Sequence, residues 1–376
     1  MLRRLLAASV FLTFVFFGSR ISHVQQIFDF ELDTTPSLAQ DTPGDGNKAG
    51  AAAGSVKPEN REPESSTVPE RELCVPKGIR AIFFIPHPDD ESLGAAGLIQ
   101  RVIENEGKVC VVFMTNGDGY VEGVRLKCKR KETSSQDFVE YGRMRQEEAL
   151  QAVCQLGVNS EDVVFLGFPD DGIDDLWTDY WSRLKPFTSP HTRFSRPEYK
   201  NSYSRLAQYA GADLEEMISQ VLRGFNPDWV ILPDPRDFHP DHCTTGIFVL
   251  DAARHLNQRG EVSFTATRFL TYLVHYIGYP TSGKWLDTIR NTGIGCSQTA
   301  SRLLSQTRWR SLPLTANELE NKKSALYAHQ SQTGMLGWFF KDYLRPCEVF
   351  GQLDPMQVLA IPQVYAAQFR RTVNVQ

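Results

Sequence analysis

The sequence runs twice from an apolar, strand-like stretch directly into His-Pro-Asp. Residues 81–94 read AIFFIPHPDDESLG, and residues 229–242 read WVILPDPRDFHPDH. Short, continuous apolar runs bounded by proline are typical of buried strands. After the shared triplet the first motif continues with a second Asp, and the second motif continues with a second His. We therefore expect two strand ends that carry different, complementary polar side chains.

Strand-like and helix-like segments alternate from Cys74 onward. The strand-like runs cover residues 81–85, 108–114, 162–168 and 228–234. The segments with helical spacing cover residues 92–107, 143–157, 213–225 and 244–256. Continuous apolar strands between helices indicate a parallel sheet covered on both faces. The predicted fold class is α/β, a Rossmann-like and mostly parallel sheet with helices on both faces.

The topology predicts where the two motifs meet. In open α/β sheets, ligands bind at the carboxyl ends of the strands, at the point where the strand order reverses. In the order 3-2-1-4-5, the first and fourth strands are neighbours at that point, and these two strands carry the motifs. We therefore expect residues 87–90 (HPDD) and 239–242 (HPDH) to converge across one crevice.

The side chains in the two motifs suit a metal site. Two histidines and one carboxylate, His87, Asp90 and His242, would hold zinc with one position open for water. Asp89 would then be free to take a proton from water, and Asp241 could orient the ring of His239 or His242. The alternative is that the acidic residues of the first motif only cap a helix. Two motifs with complementary ligands favour the metal site.

Composition and charge limit the function classes. The chain has 376 residues, 41% of them hydrophobic, and a net charge of −5, which argues against a nucleic-acid binder. A basic start followed by an apolar run predicts that residues 1–20 are a signal peptide or membrane anchor. Residues 33–72 have the composition of a disordered linker, and residues 73–376 form the predicted catalytic domain. The expected location is exported or membrane-anchored, with the domain outside the cytoplasm and membrane association through the N-terminus.

The motifs also resemble those of a known family. HPDDE after an apolar strand, with a distal HPDH, is similar to the N-acetylglucosaminylphosphatidylinositol deacetylase (PIG-L) family, also called LmbE-like. The resemblance covers most of residues 78–332 and continues through TNGD, RQEEALQAVCQLGV, FLGFPDDG and KKSALYAHQSQ, at residues 115–118, 145–158, 165–172 and 322–332. It implies zinc-dependent hydrolysis of an N-acyl group, usually acetyl, from a small-molecule or lipid-linked amino-sugar conjugate.

The resemblance also implies roles for individual residues. His87, Asp90 and His242 match the zinc (Zn²⁺) ligands, and Asp89 matches the general base. His239 matches the histidine that stabilises the oxyanion and protonates the leaving amine. A nearby carboxylate, with Asp241 as the local candidate, would favour the protonated form of His239.

Several further positions stay open at this point. Arg145 resembles a substrate-contacting arginine, and His329 is a candidate for the pocket lining. Cys243 is a weak ligand candidate because adjacent helical positions diverge by about 100°. The basic run at residues 125–131 would be a solvated loop or an anion site, and the aromatic residues of 173–210 would stack on sugar or pack a lid. Two rival functions are a metallophosphoesterase and a catalytically silent glycan-binding module.

Overall fold

The structure, a computed structural model, describes residues 71–276, 278–280 and 306–359. In this part of the chain one eight-stranded sheet runs in the order β1-β7-β8-β6-β5-β2-β3-β4. Its strands are β1 (Arg71–Glu72), β2 (Arg80–Ile85), β3 (Lys108–Thr115), β4 (Val163–Phe168), β5 (Trp229–Pro233), β6 (Arg268–Tyr272), β7 (Arg308–Pro313) and β8 (Cys347–Leu353). Neighbouring strands pair in parallel except where β8 pairs antiparallel with β6 and β7. The predicted, mostly parallel α/β sheet is confirmed.

Helices follow most strands. They are α1 (Asp90–Gly94), α2 (Ala96–Glu104), α3 (Val121–Cys128), α4 (Ser135–Gln155), α5 (Ile173–Thr178), α6 (Gly211–Phe225), α7 (Pro240–Gln258), α8 (Ala316–Ala328), α9 (Gln330–Asp342) and α10 (Pro355–Leu359). A short 3₁₀ turn, Ser160–Asp162, precedes β4.

The two faces of the sheet bury separate cores. In β2, Ile82 and Phe84 pack in a cluster that includes residues of α6 and α7. Phe83 and Ile85, which alternate with them, pack in a second cluster with residues of α2, α4 and α8. Successive side chains of a strand point to opposite faces, so continuous burial of β2 requires helices on both sides. This is why its sequence is apolar without alternation.

The two strands that carry the motifs are neighbours. Ala81, Ile82 and Phe83 of β2 align in parallel with residues 229–231 of β5. β3 and β4 extend the sheet on one side of this pair, and β6 continues it on the other. The strand order therefore reverses between β2 and β5, as the sequence predicts, and both motifs lie at the same edge of the sheet.

Some boundaries differ from the prediction. The helix expected at 92–107 is broken at Ala95, where α1 ends and α2 begins, and the amides of Gly97 and Leu98 donate to the Glu348 carboxylate. The last two residues of the predicted linker, 33–72, pair with β7 as strand β1. An edge strand needs only backbone hydrogen bonds, so its polar sequence did not reveal it.

The predicted N-terminal segment, residues 1–20, and residues 33–70 of the predicted linker lie outside the described residues. Within the ranges that the structure describes, no helix is both long enough and apolar enough to cross a membrane.

Candidate metal centre

The turn that follows β2 and carries the first motif is fixed by hydrogen bonds. The amide and hydroxyl of Thr115, at the end of β3, both donate to the carbonyl oxygen of Pro86, at 3.1 and 2.8 Å. Asp89 follows with φ 135°, an unusual backbone conformation for a residue other than glycine. Such conformations cost on the order of 1–3 kcal/mol and persist when surrounding contacts hold them. The turn brings the amide of His87 to 3.0 Å from Oδ2 of Asp90.

The second motif leaves β5 through a loop ordered by carboxylates. Asp237 accepts hydrogen bonds from the backbone amides of His239, Val274 and His275 at 2.9–3.0 Å. His239 caps α7, and Pro240 occupies the first helical position, where proline needs no hydrogen-bond partner. The helix therefore begins earlier than the predicted residue 244, and His242 lies in its first turn, fully buried.

Three predicted ligand atoms converge. Nδ1 of His87, Oδ2 of Asp90 and Nε2 of His242 are separated by 3.3, 3.0 and 3.2 Å. Ligands that lie 2.0–2.1 Å from a tetrahedral zinc ion are about 3.3 Å apart from one another. The spacing of the three atoms therefore fits a single zinc ion, and the predicted convergence of the two motifs is observed.

The far nitrogen of each histidine faces carboxylates. Nε2 of His87 lies 3.1 Å from both Asp170 and Asp241, and Nδ1 of His242 lies 3.5 Å from Asp237. For His87, two carboxylates at hydrogen-bond distance place the ring hydrogen on Nε2, so its Nδ1 lone pair points toward Asp90. Nδ1 of His242 has no hydrogen-bond partner among the described residues, so its approach to Asp237 is an electrostatic contact that favours the same arrangement. Three electron-pair donors at such distances repel one another unless a proton or a metal cation lies among them.

Asp89 stands beside these ligands and is held by Arg145. Nη2 of Arg145 lies 3.1 Å from Oδ2 of Asp89 and also donates to the carbonyl of Pro88, while Nη1 donates to Gly117 at 3.0 Å. Burial raises the pKa of Asp89 to about 7, and Arg145 opposes this shift. The carboxylate is thus able to accept and release a proton near neutrality.

His239 reaches the site from its partly exposed position at the start of α7. Its ring centroid is 4.8 Å from that of His87 and 5.1 Å from that of His242. Its Nδ1 atom accepts the amide hydrogen of Asp241 at 3.2 Å, so the neutral ring carries its hydrogen on Nε2. Burial and the imidazoles of His87, His242 and His275 lower the pKa of His239.

The predicted role of Asp241 is wrong. Its carboxylate accepts the backbone amides of Asp171 and Ile173 at 2.8 and 3.0 Å and contacts His87 rather than orienting His239 or His242. Backbone amides from the segment after β4 compete for this carboxylate, and sequence proximity to His239 gave no indication of them. The expectation that Asp241 keeps His239 protonated therefore fails as well.

Arg145 and His329 lie behind Asp89 rather than at the surface of the site. Both guanidinium Nη atoms of Arg145 are bound within the protein, and the residue is 4% exposed. His329 is fully buried, and its Nε2 atom lies 2.7 Å from the Glu91 carboxylate. Both side chains contact the turn that carries Asp89, and their predicted contact with substrate stays a prediction.

Four residues of the site were missed: Asp170, Asp237, His275 and Glu91. Asp170 directly follows β4 within the FLGFPDDG motif, so the strand-end rule applied to β2 and β5 would have found it. Asp237 and Glu91 lie inside the quoted motifs, but their orientation depends on distant partners. His275 follows β6 without any motif, and the sequence offers no signal for it.

The weaker candidates have other contacts. The Cys243 thiol donates to the carbonyl of Pro235 at 3.0 Å. In the basic run at 125–131, Arg125 and Arg130 are exposed and pair with Glu122 and Asp137, which favours a solvated segment. Among the aromatic residues of 173–210, Trp177, Phe187 and Tyr199 are buried in the core, which favours packing over sugar stacking.

The chain is similar in sequence to known proteins. Residues 82–253 match the family model described as PIG-L: GlcNAc-PI de-N-acetylase. A curated relative, 1D-myo-inositol 2-acetamido-2-deoxy-alpha-D-glucopyranoside deacetylase of Mycobacterium sp. (strain KMS), is 29% identical over 168 residues, which are 44% of this chain and 47% of that protein. The chain thus spans about half the length of the curated relatives that it matches.

Solved structures to which the chain is similar include N,N'-diacetylchitobiose deacetylase from Pyrococcus horikoshii. It is 18% identical, with a TM-score of 0.44, over 74% of this chain and 85% of that chain. The A40926 pseudoaglycone deacetylase is 16% identical, with a TM-score of 0.47, over 73% of this chain and 97% of that chain.

Proposed function

We propose that this chain, which carries a domain of the PIG-L family over residues 82–253, is a zinc-dependent hydrolase. The substrate would be a GlcNAc-type amino-sugar conjugate, from which the enzyme removes an N-acetyl or other N-acyl group. The observation that carries this proposal is the convergence of His87 Nδ1, Asp90 Oδ2 and His242 Nε2 within 3.0–3.3 Å of one another. Asp89 stands beside them as a carboxylate that the ligand set does not use.

The donor set fits zinc. Two imidazole nitrogens and one carboxylate oxygen are ligands that zinc accepts, and three protein ligands leave a position open, as in catalytic zinc sites. When bound there, zinc would polarise the amide carbonyl and make a water molecule more acidic. The contacts of Asp170, Asp241 and Asp237 with the far ring nitrogens support the orientation that such binding requires.

Asp89 would move the proton. Its carboxylate takes a proton from water as the water oxygen adds to the carbonyl carbon, and it returns that proton to the amide nitrogen as the C–N bond breaks. The products are a carboxylic acid and a free amine. Arg145 keeps the Asp89 side chain in place through the 3.1 Å contact and keeps its pKa from rising further.

His239 would stabilise the oxygen that becomes negative. Its tautomer, set by the amide of Asp241, presents Nε2–H as a hydrogen-bond donor. A neutral donor of this kind is worth about 10²-fold in rate when it faces a developing oxyanion. Because burial and the neighbouring imidazoles lower its pKa, we assign the return of the proton to Asp89 rather than to His239.

The name of the curated relative supports the substrate class. That protein is a deacetylase of an acetamido-sugar linked to inositol, and the family description names a GlcNAc conjugate of a phosphoinositide. We infer a small-molecule or lipid-linked N-acetylated amino sugar for this chain.

The experiment is a panel of N-acetylated sugars read as free amine released. The panel contains GlcNAc, diacetylchitobiose, GlcNAc-inositol and GlcNAc-phosphatidylinositol in vesicles, and p-nitrophenyl phosphate serves as the phosphatase control. We expect amine release from at least one conjugate, its loss with a chelator and its return with zinc. Phosphate release with two metals per chain would instead indicate a metallophosphoesterase. Sugar binding without amine release would indicate a glycan-binding module.

We also propose, from the sequence alone, that residues 1–20 direct the chain to export or anchor it in a membrane, with the catalytic domain outside the cytoplasm. Cell fractionation of the full chain and of a chain without these residues tests this. Recovery of both chains in the cytoplasm would contradict it.

A further inference from the structure

We propose that Glu91 and His329 are positioning residues that hold the general base Asp89 in its unusual backbone conformation. This inference rests on the proposed function for the role of Asp89, while the contacts themselves do not depend on it. Asp89 has φ 135° and ψ −26°, a region that a residue with a Cβ atom rarely occupies. Surrounding contacts must therefore hold it there.

Glu91 contacts the strained residue directly. Its Oε2 atom accepts the backbone amide hydrogen of Asp89 at 3.0 Å, and its Oε1 atom accepts the hydroxyl of Ser92 at 2.6 Å. The side chain of Glu91 is completely buried. A carboxylate in this position replaces the hydrogen-bond partner that the Asp89 amide would otherwise lack.

His329 fixes the same carboxylate from the opposite side. Its Nε2 atom lies 2.7 Å from Oε1 of Glu91, and both side chains have no exposed surface. A carboxylate only accepts, so His329 donates from Nε2. A buried carboxylate is stable only when it is paired and hydrogen-bonded, and Ser92 and His329 together meet this requirement at Oε1. An unbroken series of hydrogen bonds therefore runs from the Asp89 amide through the Glu91 carboxylate to the His329 imidazole.

The other atoms of Asp89 are held by different partners. Its carbonyl oxygen accepts the amides of Ser92 and Leu93 at 3.0 and 2.9 Å, and its carboxylate contacts Arg145. Glu91 is thus the side chain that controls the backbone on the amide side. Rotation of the peptide there would swing the Asp89 carboxylate away from the metal ligands, and displacements of about 1 Å reduce rates about 10²-fold.

The distant KKSALYAHQSQ segment, residues 322–332, supports the helix α1 that follows Asp89. Lys322 donates to the carbonyl of Leu93 at 2.9 Å and pairs with Glu348. His329, at the junction of α8 and α9, reaches Glu91. The segment therefore contacts α1 at two points. Ser331, in contrast, anchors α9 to α4 through the Glu148 carboxylate at 2.6–2.8 Å, without a contact to Glu91.

The test compares His329→Ala, His329→Gln and Glu91→Gln with the control Ser331→Ala. The control loosens the same end of α9 but leaves the Glu91 pair intact. Amide hydrogen exchange of the peptide covering residues 86–95 is measured by mass spectrometry in the zinc-loaded full chain, with metal content, kcat and KM measured on the same preparations.

For His329→Ala and Glu91→Gln we expect exchange in this peptide about 10-fold faster than in the unmodified chain. We also expect kcat to fall by about 10-fold or more, with KM within about twofold and zinc retained. The glutamine of His329→Gln can donate to Glu91. This variant should therefore have an exchange rate and a kcat close to those of the unmodified chain. Ser331→Ala should leave the exchange rate of the peptide and kcat unchanged, even if the melting temperature of this variant falls.

The proposal is overturned if His329→Ala changes exchange and kcat no more than Ser331→Ala does, or if it releases the zinc. If His329→Ala does not fold, His329→Gln and Glu91→Gln decide the question by the same comparison. If the unmodified chain releases no amine from any conjugate, the proposed function fails, and the exchange measurement still tests whether the Glu91–His329 pair holds the turn.

Discussion

Nε2 of His242 lies 3.0 Å from Oδ2 of Asp90, and this contact joins the first turns of two helices that follow different strands. Asp90 begins α1 after β2, and His242 lies in α7 after β5. The contact exists because the two strands are neighbours and parallel, so that their carboxyl ends meet at one edge. A single ion at this point would connect the two halves of the sheet.

Removal of His242 should remove the metal. We expect His242→Ala to lose at least about nine-tenths of the zinc measured by ICP mass spectrometry, because loss of a direct ligand costs more than the 10–100-fold in affinity that supporting residues contribute. Asn257→Ala is the matched control, since it lies on the same helix about 22 Å further along and its side chain accepts the amide hydrogen of Phe264. Equal zinc in His242→Ala and the control would contradict the ligand assignment.

Gly117→Ala should separate base positioning from metal binding. A Cβ atom at Gly117 would overlap the Arg145 guanidinium, and φ is +61° there. We expect kcat to fall about 10-fold with zinc content unchanged, because Arg145 would lose its contact with Asp89. Gly224→Ala, in α6 with open space around it, should leave kcat unchanged and stabilise the fold by up to about 1 kcal/mol. A Gly117→Ala enzyme with normal kcat would refute the role of Arg145.

Asp118 should make stability fall as the pH rises. Burial raises the pKa of Asp118 from 3.8 to about 7, so the folded chain keeps a proton that the unfolded chain releases. The favourable contribution of Asp118 to the free energy of unfolding is complete below about pH 4. It is lost as the pH rises through 7, at about 1.4 kcal/mol per pH unit. Asp118→Asn removes this titration, so its melting temperature relative to the unmodified chain should rise between pH 5 and 8.

Asp137→Asn provides a control of opposite sign. Hydrogen bonds from the backbone and side chain of Ser134 lower the pKa of Asp137, so its contribution is present at neutral pH and lost as the pH falls below about 4. This variant should be less stable than the unmodified chain at pH 7. If the difference in melting temperature between Asp118→Asn and the unmodified chain does not change with pH, the raised pKa of Asp118 is contradicted.

The start of the folded domain lies slightly before the predicted boundary at residue 73. Residues 71 and 72 pair with β7, and Leu73 is buried. A chain that begins at residue 67 should therefore fold and keep full activity, whereas one that begins at residue 75 should melt several degrees lower. Thermal unfolding of the two chains checks this. Equal melting temperatures would mean that β1 contributes nothing to stability.

The sequence predicted the parts of the fold that local patterns determine. Apolar runs such as 81–85 indicate buried parallel strands, and the strand-end rule then places His87 and His242 together. The pairing of β1 with β7, and of β8 with β6, joins segments far apart in the chain. The sequences of β1, β7 and β8, the three strands at one end of the sheet, are partly polar, so no local pattern indicated them.

Contacts between site residues were predictable where one motif supplies both partners or where the strand-end rule brings the two motifs together. Asp90 and His87 belong to the same turn, and their contact follows from its geometry. Asp241 was expected beside His239, yet it accepts amides at residues 171 and 173, which come from another strand end. Arg145 and His329 likewise turn inward because buried acceptors, Asp89 and Glu91, satisfy their donors. Such choices depend on tertiary contacts that spacing does not encode.

The rate of Asp89→Asn, measured with its zinc content in the same preparation, tests the central claim most directly. Asparagine keeps the size of the side chain and can still contact Arg145, but it cannot accept a proton. We expect about one zinc per chain and amine release from the best conjugate of the panel lowered by roughly 10²-fold or more. Asp179→Asn, an exposed residue at the end of α5, should match the unmodified chain. A zinc-loaded Asp89→Asn enzyme that keeps most of its rate, or one that loses its zinc, would contradict the assignment of Asp89 as the base beside the metal.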